Sequence, residues 1–262
     1  MGEIDDKGQN TPPRMKDPRA GDLLKLAGPR DASSTRITCP NKITVVIDPG
    51  HGDNYYDDHK AKKEKGVVDP GAVYSEKGTA IALEKDIALA IAKAIKTSLS
   101  SPNVQAVVLT REGDVTTPVP RFQWRTDVAV SQAAKIFVSL HTNSAGEKAT
   151  GHVVYYYSPN PTAAMETESK ELAEALSNAF TTIAAFSGGG TRGQVSKMGL
   201  VKFGGASTVQ AAVLVETGFI TNTADRASLT TKAEALGAEL AAGLLAYIDA
   251  NIDTLCAAAA TP

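Results

Sequence analysis

Apolar residues occur along this chain in two kinds of segment that alternate. Short runs rich in β-branched residues predict buried strands, and longer segments with apolar residues three and four positions apart predict amphipathic helices. The predicted strands are ITVVI, VQAVVLT, KIFVSL, GHVVYYYS and VQAAVLVE, and the predicted helices lie in LEKDIALAIAKAIKTSL, RFQWRTDVAVSQAA, TESKELAEALSNAF and residues 224–252, which form one helix or two. This alternation predicts one α/β domain, with a mostly parallel or mixed twisted sheet and helices on both faces.

Polar segments set the boundaries of the predicted domain. Residues 1–40 are rich in proline and charge and predict a polar N-terminal arm that need not be ordered. The domain then covers residues 41–252, and residues 253–262 predict a frayed C-terminal tail. Inside the domain, residues 53–82 form a long polar connection, and SGGGTRGQVSKMG is predicted to be a glycine-rich loop.

Composition and charge exclude several classes of function. The 27 basic and 29 acidic residues nearly cancel, so no nucleic-acid partner held by bulk electrostatics is expected. No run approaches the roughly 18 consecutive apolar residues of a membrane span. The first residues, MGEIDDKGQNTPPRMKDPRAGD, have no apolar core and show no secretory signal. Three alternatives stay open: a cytoplasmic protein, a signal missing from this sequence, or an export route that needs no such signal.

Two cysteines, Cys39 and Cys256, lie near opposite ends of the predicted domain. The simpler interpretation is two unpaired thiols at unrelated positions, because connectivity cannot be deduced from sequence. A bridge between them would enclose almost the whole domain and would indicate an oxidising compartment.

Polar side chains follow three of the predicted strands directly. VVIDPGH ends at His51, KIFVSLH at His141 and AAVLVE at Glu216, and Glu84 lies at the start of the first long helix. Ligands of open α/β sheets bind beyond the carboxyl ends of the strands, so these residues could meet there.

The residue types at these positions suggest metal chemistry. Two histidines and a carboxylate form the ligand set of a catalytic zinc, and a further carboxylate could move protons. Taken singly, a histidine at a strand end is more simply a hydrogen-bonded structural residue. Glu84 alone is explained as an acid in the first turn of a helix. Glu216 is harder to explain, because a carboxylate directly after AAVLV needs a partner or a function.

The motifs VVIDPGHG, DPGA, LEKDIALAIA, VVLTREGD, FVSLHTN, the RG of the glycine-rich loop and VLVETGFITN occur in this order over residues 43–250. Together they resemble the zinc-dependent N-acetylmuramoyl-L-alanine amidases of the type 3 class. The resemblance implies that residues 41–252 form a catalytic domain. It also implies that His51, Glu84 and His141 are zinc ligands and that Glu216 is the catalytic glutamate.

The resemblance implies a reaction and a substrate. The reaction is hydrolysis of the amide between N-acetylmuramic acid and the L-alanine of the stem peptide in peptidoglycan. We therefore expect Zn²⁺ as the cofactor, peptidoglycan as the partner, a monomer, and action on the cell wall in the periplasm or outside the cell. Two alternatives are a zinc peptidase that cuts within the stem peptide and a non-catalytic wall-binding module that keeps the fold.

The chain departs from the family pattern around residues 53–68, where many relatives have only a few residues. This insertion either rims the cleft or is a solvated surface loop. Its His59, with Asp57 and Asp58, is a conceivable second metal site.

Other departures concern the second helix and its surroundings. Arg125 matches the arginine of the family's helix, but Val130 replaces the asparagine usual later in that helix. His152, at the start of a strand, is expected to be structural. The long helical insertion that occludes the zinc in relatives that split daughter cells is missing, so we expect an open site.

Overall fold

The computed structural model describes residues 39, 42–56, 68–160, 162–181, 188–194, 199–203 and 207–257. The strands are β1 (Ile43–Pro49), β2 (Asp53–Tyr56), β3 (Val73–Glu76), β4 (Thr79–Leu83), β5 (Val104–Leu109), β6 (Val115–Pro120), β7 (Ile136–Asn143), β8 (His152–Tyr157), β9 (Gly189–Gln194) and β10 (Ala211–Phe219). The helices are α1 (Glu84–Ser98), α2 (Gln123–Ser131), α3 (Ala163–Phe180), α4 (Thr223–Thr231), α5 (Ala233–Ala250) and α6 (Ile252–Cys256), with a 3₁₀ turn at Gly199–Val201.

Six of the strands form one sheet in the order β5-β1-β7-β10-β8-β9. β5, β1, β7 and β10 are parallel to one another, whereas β8 is antiparallel to β10 and parallel to β9. The predicted mixed sheet is therefore confirmed. Because β1, β7 and β10 are parallel, their carboxyl ends meet at one edge of the sheet. The register there pairs His141 with Glu216 on the neighbouring strand.

The sheet is covered on both faces, as predicted. All seven residues of β1 are buried, and successive side chains point to opposite faces of the sheet. Val45 and Ile47 belong to a first hydrophobic cluster, and Val46 belongs to a second one. The first cluster packs under α1, α3 and α5, and the second includes residues of α2 and the 3₁₀ turn. A strand buried on both faces is continuously apolar, which explains the ITVVI run.

Two segments predicted as loops contain strands. In the connection 53–82, β2 pairs in parallel with β6, and β3 and β4 form an antiparallel hairpin. The predicted glycine-rich loop contains β9, which pairs with β8. A Cβ added at Gly189 would lie 2.1 Å from the carbonyl oxygen of His152. Glycine is thus needed for this close approach, although it lowers strand propensity and hides the strand in the sequence.

Cys39 and Cys256 form a disulfide, with their Cα atoms 5.3 Å apart, so the preferred interpretation of two unpaired thiols is wrong. The bond fastens α6, where Leu255 is fully buried. The predicted start of the tail at residue 253 falls inside this helix, because Leu255 and the disulfide hold it against the core. The predicted arm 1–40, apart from Cys39, lies outside the described residues.

The helices in the described part of the chain are all too short or too polar to cross a membrane.

Candidate metal centre

The segment that follows β1 brings His51 over the edge of the sheet. His51 has a positive φ of 57°, which is uncommon for a residue with a side chain. A Cβ at the preceding Gly50 would lie 2.4 Å from Cε1 of His141, so only glycine lets the second imidazole approach this turn. Gly50 is therefore required by the close packing of His141, which the sequence alone does not show.

Three predicted ligands lie together at this edge. His51, Glu84 and His141 each offer one ligand atom, and these atoms all lie within 4.8 Å of one another. Oε1 of Glu84 is 3.3 Å from Nε2 of His51 and 2.9 Å from Nδ1 of His141. The first residue of α1 thereby meets side chains from the ends of β1 and β7.

Hydrogen bonds from outside the trio orient these side chains. Nδ1 of His51 is 2.7 Å from Oδ2 of Asp69, to which it donates, and this leaves Nε2 facing Glu84. Oε2 of Glu84 accepts the N–H of Ala72 at 2.7 Å, and its Oε1 accepts the N–H of Thr142 at 3.0 Å. Such partners fix the orientation of metal ligands. Asp69 was not predicted as a site residue, although it begins the DPGA motif.

The pKa values reflect this crowding of acidic and imidazole groups. Burial alone would lower the pKa of His51, but hydrogen bonds to Asp69 and Glu84 outweigh it and raise that pKa to about 9. Burial alone would raise the pKa of Glu84, but its hydrogen bonds to His141 and His51 hold it well below the ordinary value. The trio therefore combines the Glu84 carboxylate with imidazole groups that attract it. A metal cation bound among these donors would have to displace a proton from His51.

Glu216 lies beside the trio on β10. Its carboxyl is largely buried, and burial raises its pKa, opposed in part by the charge of His141. Its Oε2 is buried and has no hydrogen-bond partner among the described residues. A buried acid oxygen without a partner is costly and calls for an explanation.

The residues present fit a divalent metal such as zinc. Two imidazole nitrogens and one carboxylate oxygen converge within a single small volume, which is the donor set of catalytic zinc sites. Glu216 is paired with His141 across β10 and β7, so an ion held by the trio would lie near the carboxyl group whose Oε2 has no partner among the described residues.

Arg125 of α2 secures the segment that bears His51. Its Nη1 donates to the Asp48 carboxylate and its Nη2 to Asp53 at 2.8 Å, and both acids flank His51 in the chain. Nη2 also donates to the carbonyl oxygen of His51 at 2.9 Å. The arginine singled out in the sequence thus acts on the main chain of a candidate ligand. Val130, on the same helix, is 52% exposed.

The remaining predicted residues lie elsewhere. His152 is buried, its Nε2 lies 2.8 Å from Oγ of Ser177, and its ring stacks on Phe180, so its predicted structural role is confirmed. Asp57, Asp58 and His59, the conceivable second metal site, lie outside the described residues.

A surface cavity opens over the centre. Its wall includes three residues of the centre, His51, Asp69 and His141. The other lining residues are Asp53, Arg121, Phe122, Arg125 and Leu200. Two of the candidate ligands, His51 and His141, are therefore reachable by a molecule bound at the surface.

The fold and the donor set define an α/β protein with a candidate metal centre at the carboxyl edge of its sheet. The sequence model of one family, described as N-acetylmuramoyl-L-alanine amidase, matches residues 45–246. The chain therefore belongs to the N-acetylmuramoyl-L-alanine amidase family.

Individual relatives agree with this assignment. The N-acetylmuramoyl-L-alanine amidase LytC of Bacillus subtilis (strain 168) is 32% identical over 210 residues, which is 78% of this chain and 36% of the relative. AmiC of Escherichia coli O6:H1 is 26% identical over 276 residues, covering 89% of this chain and 60% of the relative. The chain thus spans 36% and 60% of the length of these curated relatives. The solved structure of the amidase AmiC2 of Nostoc punctiforme matches with a TM-score of 0.58 and 29% identity, over 79% of this chain and 98% of that one.

Proposed function

We propose that this protein hydrolyses the amide bond between N-acetylmuramic acid and the L-alanine of the stem peptide in peptidoglycan. His51, Glu84 and His141 would hold one zinc ion, and Glu216 would transfer protons. The observation on which the proposal depends is the convergence of the three donor atoms within 4.8 Å, in a chain of the amidase family.

A zinc ion held by this trio would supply Lewis acidity, which makes a water molecule reactive at neutral pH and polarises the scissile carbonyl. The protein itself would hold the ligand atoms of His51 and Glu84 in the orientation that the metal needs. Asp69 holds the His51 tautomer that leaves Nε2 available, and the N–H groups of Ala72 and Thr142 hold the Glu84 carboxylate in place. Little reorganisation would then be needed when the ion binds.

Glu216 would act as the general base and then the general acid. Its carboxylate would accept one proton from the attacking water and pass it to the nitrogen of the departing L-alanine. An amide nitrogen is a poor leaving group until it is protonated, so this transfer would complete the cleavage. Burial raises the pKa of Glu216, opposed in part by the charge of His141, so this carboxyl holds a proton more readily than an exposed one.

The disulfide indicates the kind of compartment in which the protein functions. A bond between Cys39 and Cys256 persists in an oxidising compartment, which favours the periplasm or the cell exterior over the cytoplasm. Peptidoglycan is also found there. We propose that the protein acts on the cell wall as a monomer.

Digestion of purified sacculi, followed by mass spectrometry of the products, tests this function. An N-acetylmuramoyl-L-alanine amidase releases intact stem peptides with a free L-alanine N-terminus. A peptidase cutting within the stem peptide would release truncated peptides and leave L-alanine on the glycan. A wall-binding module would release nothing, and either of these two results would refute the proposal.

A further inference from the structure

Arg111, in the loop after β5, is a buried arginine whose hydrogen bonds reach the segments on both sides of the candidate metal centre. Its side chain is only 4% exposed. Its Nε donates to the carbonyl oxygen of Pro49 at 2.9 Å, and its Nη2 donates to that of Gly50 at 2.9 Å. The same Nη2 donates to the carbonyl oxygen of Lys85 at 2.7 Å.

These acceptors lie directly beside two candidate ligands. Gly50 precedes His51 in the chain, and Lys85 follows Glu84. One guanidinium group thus joins the segment after β1 to the first turn of α1. Because the hydrogen bonds go to main-chain oxygens, they constrain the backbone positions from which the His51 and Glu84 side chains project.

Gly52 leaves the space in which the Arg111 guanidinium packs. Gly52 has a φ of +76°, and a Cβ added there would lie 2.5 Å from Cζ of Arg111, so the guanidinium packs directly on the glycine backbone. A lysine could not replace it equivalently, since the planar fork of arginine presents five donors in fixed directions. At the surface, Nζ of Lys85 pairs with Asp114 at 3.0 Å and ties the same loop to α1 a second time.

We propose that Arg111 is a positioning residue of the metal centre: by binding both segments, it sets the spacing between His51 and Glu84 and so raises the affinity for zinc. This inference rests on the metal centre of the proposed function. Groups that orient metal ligands from outside typically change metal affinity or activity about 10- to 100-fold when mutated.

The experiment compares Arg111→Lys with Arg226→Lys. Arg226 is also a buried arginine, 8% exposed, and its Nη1 donates to main-chain carbonyls, those of Ile220 and Thr221. Neither of these acceptors adjoins a candidate ligand, so Arg226→Lys is a matched control for the general cost of losing such an arginine. Zinc affinity is measured by competition with a chromophoric chelator, and thermal unfolding of the zinc-free protein is measured alongside.

The proposal predicts that Arg111→Lys weakens zinc binding about 10- to 100-fold and that Arg226→Lys leaves the zinc Kd unchanged, even if both variants unfold at lower temperature. An unchanged Kd in Arg111→Lys, or an equal loss in both variants, would overturn it. If Arg111→Lys does not fold, Arg111→Gln is compared with Arg226→Gln by the same chelator competition. A weaker zinc affinity in Arg111→Gln alone supports the proposal, and equal Kd values in the two variants contradict it.

Activity on sacculi is measured separately on the zinc-loaded wild type. A wild type that binds zinc but releases no stem peptides would refute the proposed function and leave the role of Arg111 intact. An active wild type with an unaffected Arg111→Lys Kd would refute only the role of Arg111.

Discussion

Nδ1 of His51 donates a hydrogen bond to Oδ2 of Asp69 over 2.7 Å, and the other nitrogen of the same ring lies 3.3 Å from Glu84. The Asp69 carboxylate therefore determines that Nδ1 of His51 carries the proton and that Nε2 is available to a metal. Asp69 is held in turn: its Oδ1 accepts the N–H of Gly71 at 3.0 Å. The segment 69–72 thus orients both His51, through Asp69, and Glu84, through the N–H of Ala72.

Replacing Asp69 should weaken zinc binding without unfolding the protein. Asp69→Ala removes the acceptor for His51 Nδ1, so the ring can adopt the wrong tautomer or orientation, and we expect a loss of about 10- to 100-fold in zinc affinity. Asp69→Asn keeps an acceptor oxygen without the charge, and its affinity should lie between that of Asp69→Ala and the wild type. Calorimetric titration with zinc measures all three, and equal affinities would contradict the assigned role of Asp69.

Glu216→Gln should separate catalysis from metal binding. The glutamine keeps the size of the side chain but cannot accept and return a proton, so we expect activity on sacculi to fall by about 10²- to 10⁴-fold. The zinc content should remain that of the wild type. Glu84→Gln is the matched control, since it should lose zinc as well as activity. Undiminished lysis by Glu216→Gln would mean that another group transfers the proton.

The ion pair between Asp48 and Arg125 should make the fold sensitive to acid. Asp48 is fully buried; burial alone would raise its pKa, but Arg125 and hydrogen bonds from Thr110 and Ser139 hold that pKa below the ordinary value. The folded pKa is thus lower than the unfolded one, which is about 3.9. The stabilisation is complete above the unfolded pKa and is lost as the pH falls toward the folded pKa.

Chemical denaturation at several pH values measures this contribution. Asp48→Asn leaves Arg125 with Asp53 as its remaining charged partner, and the loss of the charge-assisted hydrogen bonds of Asp48 should lower the free energy of unfolding at pH 7 by about 1.5–3 kcal/mol. The difference between the wild type and Asp48→Asn should shrink below about pH 4, where the unfolded Asp48 is protonated. A difference that stays constant from pH 7 to pH 3 would contradict this account.

The disulfide should contribute strongly to stability, because the two cysteines are 217 positions apart. Chain-entropy estimates for a loop of this length give about 5 kcal/mol. We expect a reductant to lower the free energy of unfolding of the wild type toward that of the double variant Cys39→Ser with Cys256→Ser. The double variant should not respond to the reductant. A wild type that is equally stable with and without reductant would argue against a stabilising bridge.

Periodicity alone predicted the sheet, its main helices and the edge at which the site lies. His51, His141 and Glu216 could be found because each comes directly after an apolar strand, and parallel strands place such residues together. Glu84 was found at the start of α1, but its contact with His141 depends on the packing of α1 against the sheet, which no local pattern encodes. The family resemblance, rather than periodicity, linked these four residues to one reaction.

Other features depend on contacts between distant parts of the chain. Arg111 lies 61 positions from Gly50, whose carbonyl oxygen accepts its hydrogen bond, so nothing near Arg111 in the sequence indicates that role. Cys39 and Cys256 gave no signal of their pairing for the same reason. β9 was missed because its glycines have low strand propensity, although one of them, Gly189, is required for the close approach to His152.

X-ray absorption spectroscopy at the zinc edge, on protein loaded with one equivalent of zinc, tests the central claim most directly. We predict one site per chain with two imidazole nitrogens and a carboxylate oxygen at about 2.0–2.2 Å from the metal, and loss of that site in Glu84→Ala. A spectrum without imidazole ligands, or one unchanged by Glu84→Ala, would show that His51, Glu84 and His141 do not bind a common ion.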